Sequence, residues 1–94
     1  MKKTAAEPPW VVYVLRCRGG TLYTGVTTDP ARRLKQHNAG TASRYTRSRL
    51  PVKMVYREDQ PTKSAALKRE WAIKQLPRSA KLRLISSQKA KRRD

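Results

Sequence analysis

The chain has 94 residues and a formal net charge of +17, from 23 Lys and Arg against six Asp and Glu. This length provides for one small domain with one hydrophobic core and excludes a second one beside it. The excess of positive charge attracts polyanions at long range and indicates a nucleic acid backbone as the partner. On charge alone, a ribosome-like or merely soluble basic surface is an equally good explanation.

A single cysteine, Cys17, excludes an internal disulfide, and with one histidine it cannot build a zinc site of the Cys/His type. The longest apolar stretch, residues 10–15, is too short for a membrane span or for the core of a signal peptide. We therefore expect a cytoplasmic protein without a membrane partner, whose oligomeric state the sequence leaves unknown.

The predicted elements follow a lead-in, residues 1–9, which carries charge, Ala and Pro without period and is expected to be disordered. Residues 10–17 are continuously apolar, aromatic and β-branched, which predicts a strand covered on both faces. Gly19 and Gly20 provide a tight turn, and residues 21–27 return as a second strand.

A helix is predicted next, because Asp29 can cap free amides and Pro30 loses no hydrogen bond at the first helical position. It runs to about Asn38. Residues 39–51 form a basic loop without a core-forming period, which we expect to face solvent or ligand. Residues 52–57 predict a third strand, near a sheet edge because polar residues interrupt its apolar pattern.

Two helices complete the prediction. Residues 63–76 carry apolar side chains at helical spacing, and a last helix runs from Ser79 to about Ser86. The order β-β-α-β-α-α predicts an α/β (α+β) fold, a small three-stranded sheet flanked by helices. The domain is placed at residues 10–86 and is followed by a basic tail, 87–94, expected to be disordered.

Four side chains in the first half of the chain could form a catalytic site. Tyr13 and Tyr23 lie on neighbouring strands of the predicted hairpin and can approach each other. A phenol ionises near pH 10, so it needs a cationic neighbour or a proton relay to act as a base at neutral pH. Arg33 and His37 lie four positions apart on one helical face and offer both. Gly25 would let a phosphate or the helix start approach the strand closely.

Taken singly, each of these residues is more often an ordinary packing or solvated residue. Their order, however, extends along most of the chain in five segments: Val11-Val12-Tyr13, Tyr23-Thr24-Gly25, Arg33 with His37, Ser43-Arg44-Tyr45-Thr46-Arg47, and Ala66-Leu67-Lys68-Arg69-Glu70 with Ile73-Lys74. Together they resemble the GIY-YIG nuclease superfamily, and more narrowly its small stand-alone bacterial members. The resemblance covers residues 10–86.

The resemblance implies an endonuclease that hydrolyses phosphodiester bonds. One of Tyr13 and Tyr23 would be the general base for the attacking water. Arg33 would steady the scissile phosphate, and His37 would lie within reach of the base. The substrate would be DNA or structured nucleic acid, with DNA favoured, and the role would be one in DNA repair or processing.

Glu70 matches the carboxylate that binds a single divalent cation in this superfamily, so the resemblance implies one Mg²⁺ or Mn²⁺. The residues alone point the same way, because Glu70 lies mid-helix beside an apolar stripe in a strongly basic chain, where a carboxylate suits a hard cation. An ion pair with Lys74, four positions on, is an equally good explanation of Glu70 without the family match.

The chain departs from the family pattern at three positions. Val11 replaces the Gly that names the first motif, Thr24 replaces the middle Ile of the second, and Val26 stands where many catalytic relatives carry a basic residue. A second hypothesis is therefore a non-catalytic nucleic-acid-binding module that retains the fold. Its working side chains would contact phosphates or stack on bases: Arg44, Tyr45, Arg47, Lys53 and Lys74.

Overall fold

A computed structural model gives the structure of residues 9–92. Its elements in chain order are β1 Trp10–Cys17, β2 Leu22–Thr27, α1 Pro30–Asn38, α2 Arg44–Arg47, β3 Val52–Gln60, α3 Lys63–Gln75 and α4 Arg78–Arg92. The predicted fold class is confirmed, since a three-stranded antiparallel sheet is flanked by helices in the expected order. Most of the expected lead-in and the last two residues of the expected tail lie outside the described residues.

Strand β1 is the centre of the sheet, whose strand order is β2-β1-β3 with both neighbours antiparallel to β1. Five successive side chains, from Val11 to Leu15, are at most 2% exposed. Burial without alternation requires a cover on each face of a strand. The continuous apolar run is therefore a strand covered on both faces, as the sequence predicts.

The two faces of β1 belong to two separate parts of the core. Val12 and Val14 pack on one face with side chains of α3 and α4, among them Ile73 and Ile85. The odd-numbered side chains of β1, including Tyr13, pack on the other face with groups from α1 and the start of β3. Tyr13 is therefore directed to the side of the sheet that α1 covers.

Strand β3 is an edge strand, as its polar residues predict, and two side-chain amides cover its free edge. Asn38 accepts from the N–H of Val52 at 2.8 Å and donates to its carbonyl oxygen at 3.1 Å. Gln88 of α4 accepts from the N–H of Arg57 at 3.1 Å and donates to its carbonyl oxygen at 2.5 Å. These amides occupy backbone groups that would otherwise be free to pair with another strand.

The structure differs from the expected elements in three places, the first of which is that β3 continues to Gln60 rather than ending at residue 57. The expected loop at residues 39–51 contains the short helix α2, in which Thr46 is fully buried. One turn of helix around a polar residue has no apolar period, so the pattern of residues does not reveal it. Helix α4 continues to Arg92 rather than ending near Ser86, so the expected disorder of the tail is wrong for residues 87–92. The Gln, Lys, Ala and Arg that follow Ser87 are strong helix formers. Among residues 9–92, no helix has the length and apolar character needed to cross a membrane.

Candidate active site

The phenol of Tyr13 lies directly over Gly25. These two residues are partners in the β1–β2 ladder, and a Cβ atom built on Gly25 would lie 2.6 Å from the Tyr13 Oη and 2.7 Å from its Cζ. At that separation a side chain at position 25 would displace the phenol. From the sequence we expect a phosphate or the start of the helix to approach Gly25 closely. In the structure the group that packs against Gly25 is the ring of Tyr13.

His37, in the last turn of α1, faces the same phenol. Its Nε2 lies 2.9 Å from the Tyr13 Oη, and the two side chains are 1% and 2% exposed. The helix begins where Asp29 accepts a hydrogen bond from the backbone N–H of Arg32, as predicted. This start fixes the helical phase that brings His37 onto the sheet, so local capping helps to determine the geometry of the pair.

The second ring nitrogen of His37 is also bonded. Its Nδ1 lies 2.9 Å from the Oγ1 of Thr46, which in turn lies 3.1 Å from the Oγ of Ser43. The Thr46 hydroxyl donates to the carbonyl oxygen of Ser43 at 3.4 Å, leaving lone pairs to accept from Nδ1–H. We therefore assign the tautomer in which Nε2 carries no proton and accepts from the O–H of Tyr13.

Sequence reasoning did not identify Thr46 as a site residue. The signal that could have found it is local: Ser43 is a good N-cap residue, and its Oγ accepts from the backbone N–H of Thr46 at 3.1 Å, starting α2. Recognising that cap would have predicted a helical turn in the loop. It would not have predicted that the turn places a hydroxyl against His37.

Tyr23 of β2 belongs to the same cluster. Its ring centroid lies 5.4 Å from that of His37, edge to face, and 5.7 Å from that of Tyr45, with which it is stacked. The guanidinium carbon of Arg49 lies 3.9 Å from the centroid of the Tyr45 ring. Tyr45, expected as a base-stacking residue, thus uses part of its ring to hold Tyr23 and remains 38% exposed.

Two charged side chains act on this cluster. Burial raises the pKa of the Tyr13 phenol well above its ordinary value, the neighbouring Tyr23 and Glu70 raise it further, and Arg33 opposes them. Burial, followed by the positive charge of Arg33, lowers the pKa of His37 below 6.5. At neutral pH the phenol is therefore protonated and the imidazole neutral, which agrees with the assigned tautomer.

Arg33 lines a polar cleft at the start of α1, together with Thr27, Thr28, Asp29, Arg32 and Gln36. The remaining predicted basic residues lie outside the cluster. Arg44 and Arg47 are exposed on α2, and Lys53 is exposed on β3. The structure thus separates a buried cluster of tyrosines and histidine from a surrounding basic surface.

Glu70 of α3 is the carboxylate to test as a metal ligand. Its side chain is 20% exposed and its Oε2 lies 3.3 Å from the Nζ of Lys74, so the ion pair considered from the sequence is present. Among residues 9–92, no three His, Cys, Asp or Glu side chains converge as a metal cage. Mg²⁺ is commonly held by one or two carboxylates together with waters and substrate phosphates, and Glu70 fits that arrangement.

Comparison with known proteins places the chain in a family. The family model of the GIY-YIG catalytic domain matches residues 9–83 of this sequence. A UPF0213 protein of Desulfotalea psychrophila is 51% identical over 82 residues, which cover 86% of this chain and 74% of that protein. A UPF0213 protein of Streptococcus agalactiae is 51% identical over 81 residues, covering 86% of this chain and 92% of that protein.

Two solution NMR structures are similar to the chain as well. That of the UPF0213 protein BH0048 from Bacillus halodurans has a TM-score of 0.54 and 42% identity, with 82% of each chain covered. That of the protein EF2693 from E. faecalis has a TM-score of 0.58 and 42% identity, with 84% of each chain covered. The family match spans every element from β1 to α3, which carry Tyr13, Tyr23, Arg33, His37 and Glu70.

Proposed function

The chain belongs to the GIY-YIG catalytic domain family, a nuclease superfamily whose fold implies a nucleic acid substrate, and from this premise we propose that it is a metal-dependent endonuclease. It would hydrolyse phosphodiester bonds in DNA or structured nucleic acid. The observation that carries the proposal is the buried hydrogen bond between Tyr13 and His37, built over Gly25. A cytoplasmic location and a role in DNA repair or processing belong to the same proposal.

Tyr13 and His37 supply the proton transfer. The attacking water gives a proton to the Tyr13 Oη while the phenol gives its own proton to Nε2 of His37, so no free phenolate has to form. The imidazolium that results keeps Nδ1–H on Thr46. The imidazole is neutral at pH 7 and can accept this proton, whereas a phenol acting alone would first have to ionise, near pH 10. Tyr23, less buried than Tyr13 and packed against the same imidazole, is the other candidate for the base.

Arg33 stabilises the phosphate. The hydroxide forms a new P–O bond as the bond to the leaving oxygen breaks, and negative charge grows on the phosphate oxygens during this step. A guanidinium that is already positioned at the site stabilises that charge without reorganisation. The polar cleft that Arg33 lines lies at the start of α1, and the charge of Arg33 is near enough to act on the pKa of Tyr13.

Glu70 would hold Mg²⁺ or Mn²⁺ as a single protein carboxylate. A cation bound there supplies positive charge to the leaving oxygen. Lys74 lies 3.3 Å from Oε2 of this carboxylate, so a bound cation would compete with it for Glu70. Lys74 is then free for a backbone phosphate, which is consistent with its predicted role in nucleic acid binding.

The second candidate function is a nucleic-acid-binding module without turnover. The Glu70–Lys74 ion pair favours it, because a carboxylate neutralised by a lysine is explained without a cation. Val26, which stands where many catalytic relatives carry a basic residue, points in the same direction.

The test is incubation with labelled single-stranded, duplex, flap and junction substrates, in Mg²⁺, in Mn²⁺ and in chelator. We expect cleavage of at least one substrate with metal and none in chelator. Glu70→Gln should abolish turnover and leave binding unchanged or tighter, because one negative charge is removed. Cleavage that persists in chelator or in Glu70→Gln would exclude the metal role.

Single substitutions distinguish the enzyme from the binding module. Tyr13→Phe and Tyr23→Phe each remove one hydroxyl and keep the ring, so folding and binding should survive. In an enzyme at least one of them loses about a hundredfold or more in rate, the scale of removing a positioned acid or base, and Arg33→Ala does the same. If the wild type cleaves none of the substrates while all variants bind as it does, the binding module is the correct function.

A further inference from the structure

An exposed tryptophan on α3 has no role in the site described above. Trp71 is 66% exposed, and Leu67, four positions earlier and therefore adjoining it on the helix surface, is 44% exposed. The other side of α3 provides the apolar contacts with the sheet, where Ala66 and Ile73 are fully buried. Trp71 is therefore neither a core residue nor part of the tyrosine cluster.

Cations border this tryptophan on both sides. Lys68 and Lys74 lie three positions before and three after Trp71, and both are exposed. We call Leu67, Lys68, Trp71 and Lys74 the Trp71 surface. A flat aromatic face flanked by ammonium groups matches the chemistry of a nucleotide, whose base stacks on the ring and whose phosphates accept from the lysines.

The Trp71 surface adjoins Glu70, the proposed metal ligand, on helix α3. Trp71 follows Glu70 in sequence, and Leu67 lies three positions before Glu70, so it adjoins both residues on the helix surface. A nucleic acid strand that leaves the site past Glu70 would lie over the Trp71 surface. Lys74, which belongs to this surface, lies 3.3 Å from Glu70.

We propose that the Trp71 surface binds an unpaired nucleobase of the substrate strand next to the scissile phosphate. This inference rests on the proposed function and narrows the substrate class to nucleic acids with single-stranded nucleotides at the cleavage position. Bases inside a duplex already stack on one another, so only an unpaired base can offer its face to Trp71. A second copy of this chain is a poor occupant, because each copy carries a charge of +17 and the two repel.

The test compares binding of two labelled strands of about 12 nucleotides, oligo-dT and an abasic strand with the same number of phosphates. Fluorescence anisotropy is measured in chelator, where no cleavage is expected. Trp71→Leu keeps apolar bulk but removes the aromatic face, and Trp71→Phe keeps a ring. Because position 71 is largely exposed, both variants should fold, which circular dichroism checks.

We expect Trp71→Leu to weaken binding of oligo-dT by roughly 5- to 150-fold, the range of one lost base–aromatic stack. Its affinity for the abasic strand should not change, and Trp71→Phe should recover most of the loss. Equal affinities of wild type and Trp71→Leu for oligo-dT would overturn the proposal, as would an equal loss on both strands. The proposal would also be overturned if the wild type sediments as a dimer and Trp71→Leu as a monomer, since the surface would then be a self-association site.

These outcomes are separate from those of the proposed function. A chain that never cleaves still shows the Trp71-dependent preference for oligo-dT if the surface binds bases. If Trp71→Leu cleaves normally and binds oligo-dT as the wild type does, the base-binding proposal is overturned and the proposed nuclease function is not. A wild type that binds neither strand overturns the base-binding site, whereas the duplex, flap and junction substrates still test the proposed function.

Discussion

His37 is held through both ring nitrogens, and the two bonds have different tasks. The bond of Nε2 to Tyr13 is the proposed path of the proton, whereas the bond of Nδ1 to Thr46 sets which nitrogen is free to receive it. Thr46 is fully buried and does not reach solvent. We therefore regard it as a positioning residue that acts through the imidazole.

The first prediction concerns Thr46. Thr46→Val keeps the shape but removes the hydroxyl, so the buried Nδ1–H loses its acceptor. We expect the free energy of unfolding to fall by about 1–3 kcal/mol, the cost of an unsatisfied buried polar group, and cleavage to slow by about tenfold or more as the imidazole loses its orientation. Urea unfolding and single-turnover cleavage measure the two effects.

Thr46→Ser is the matched control, since it restores a hydroxyl at the same position. It should recover most of the rate even where stability stays reduced. If Thr46→Val cleaves as fast as the wild type, Thr46 has no part in orienting His37.

The second prediction is a loss of stability in mild acid that comes from His37. Burial and Arg33 lower its pKa in the folded state below the ordinary 6.5, so the unfolded chain binds a proton first as the pH falls. The stability contributed by the neutral imidazole is thus complete above pH 6.5 and is lost as the pH falls through the folded-state pKa. Carboxylates titrate lower, and the chain has one histidine.

Urea unfolding at pH 7.5, 6.5 and 5.5 measures this effect. The wild type should lose stability mainly between pH 6.5 and 5.5, and His37→Gln should be much less sensitive across this window. The idea is untenable if His37→Gln keeps the full pH dependence of the wild type.

At the scale of elements, Glu58 ties the edge strand β3 to α3. It accepts from the hydroxyl of Tyr56, from Nε2 of Gln60 at 2.8 Å and from Nε of Arg69 at 2.8 Å. Burial by itself would raise the pKa of Glu58, but these hydrogen bonds outweigh burial and hold it below its ordinary 4.5. Because α3 also carries Glu70 and Trp71, this tie helps to fix both proposed sites relative to the sheet.

The third prediction follows from that network. Glu58→Gln should reduce the free energy of unfolding at pH 7 by about 1–3 kcal/mol, the scale of lost hydrogen bonds to a charged group. Since the folded-state pKa is lowered, the stability from Glu58 is present above pH 4.5 and is lost as the pH falls through the folded-state value. The difference between variant and wild type should therefore shrink in acid.

Asp59→Asn is the control for this prediction. Asp59 lies on the same strand, is 63% exposed and reaches Arg57 only at 4.0 Å, so its removal should change stability by no more than about 0.5 kcal/mol. An equal effect of the two substitutions in urea unfolding would mean that the network around Glu58 adds nothing beyond a surface charge.

The sequence predicts elements whose signal is local. The run of residues 10–17 and the cap at Asp29 determine a central strand and a helix start by themselves, and both occur as expected. Helix α2 has no such period, because its buried member, Thr46, is polar. Its burial depends on a histidine nine residues away, which only the packed chain brings within reach.

The candidate site also combines features that local sequence patterns predict with features that only the packed chain shows. Alternation along paired strands predicts that Tyr13 and Gly25 can lie together, and the structure pairs them. The stack of Tyr23, Tyr45 and Arg49 was not predicted, because it joins β2 to a segment that carries no pattern. The catalytic roles of these residues remain predictions that the variants above test.

At the scale of the whole molecule, the positive charge is distributed over both sides of the sheet. Arg44 and Arg47 are exposed on α2, which contacts α1 beside the tyrosine cluster. Arg83 and Lys89 are exposed on α4, which packs against β3 with the core of the opposite face. Long-range attraction comes from all of these charges, whereas direct phosphate contacts depend on which side faces the nucleic acid.

The last prediction separates these two effects. Nucleic acid affinity should fall steeply with salt, since each neutralised phosphate releases counterions. Arg44→Ala with Arg47→Ala should lower affinity and flatten the plot of log affinity against log salt by roughly one unit per lost contact. Arg83→Ala with Lys89→Ala removes the same charge from the other side and should weaken binding at low salt with little change in slope. Equal slopes for the two double variants would mean that the strand does not lie against α2, and an affinity that does not change with salt would exclude phosphate binding as the purpose of the basic surface.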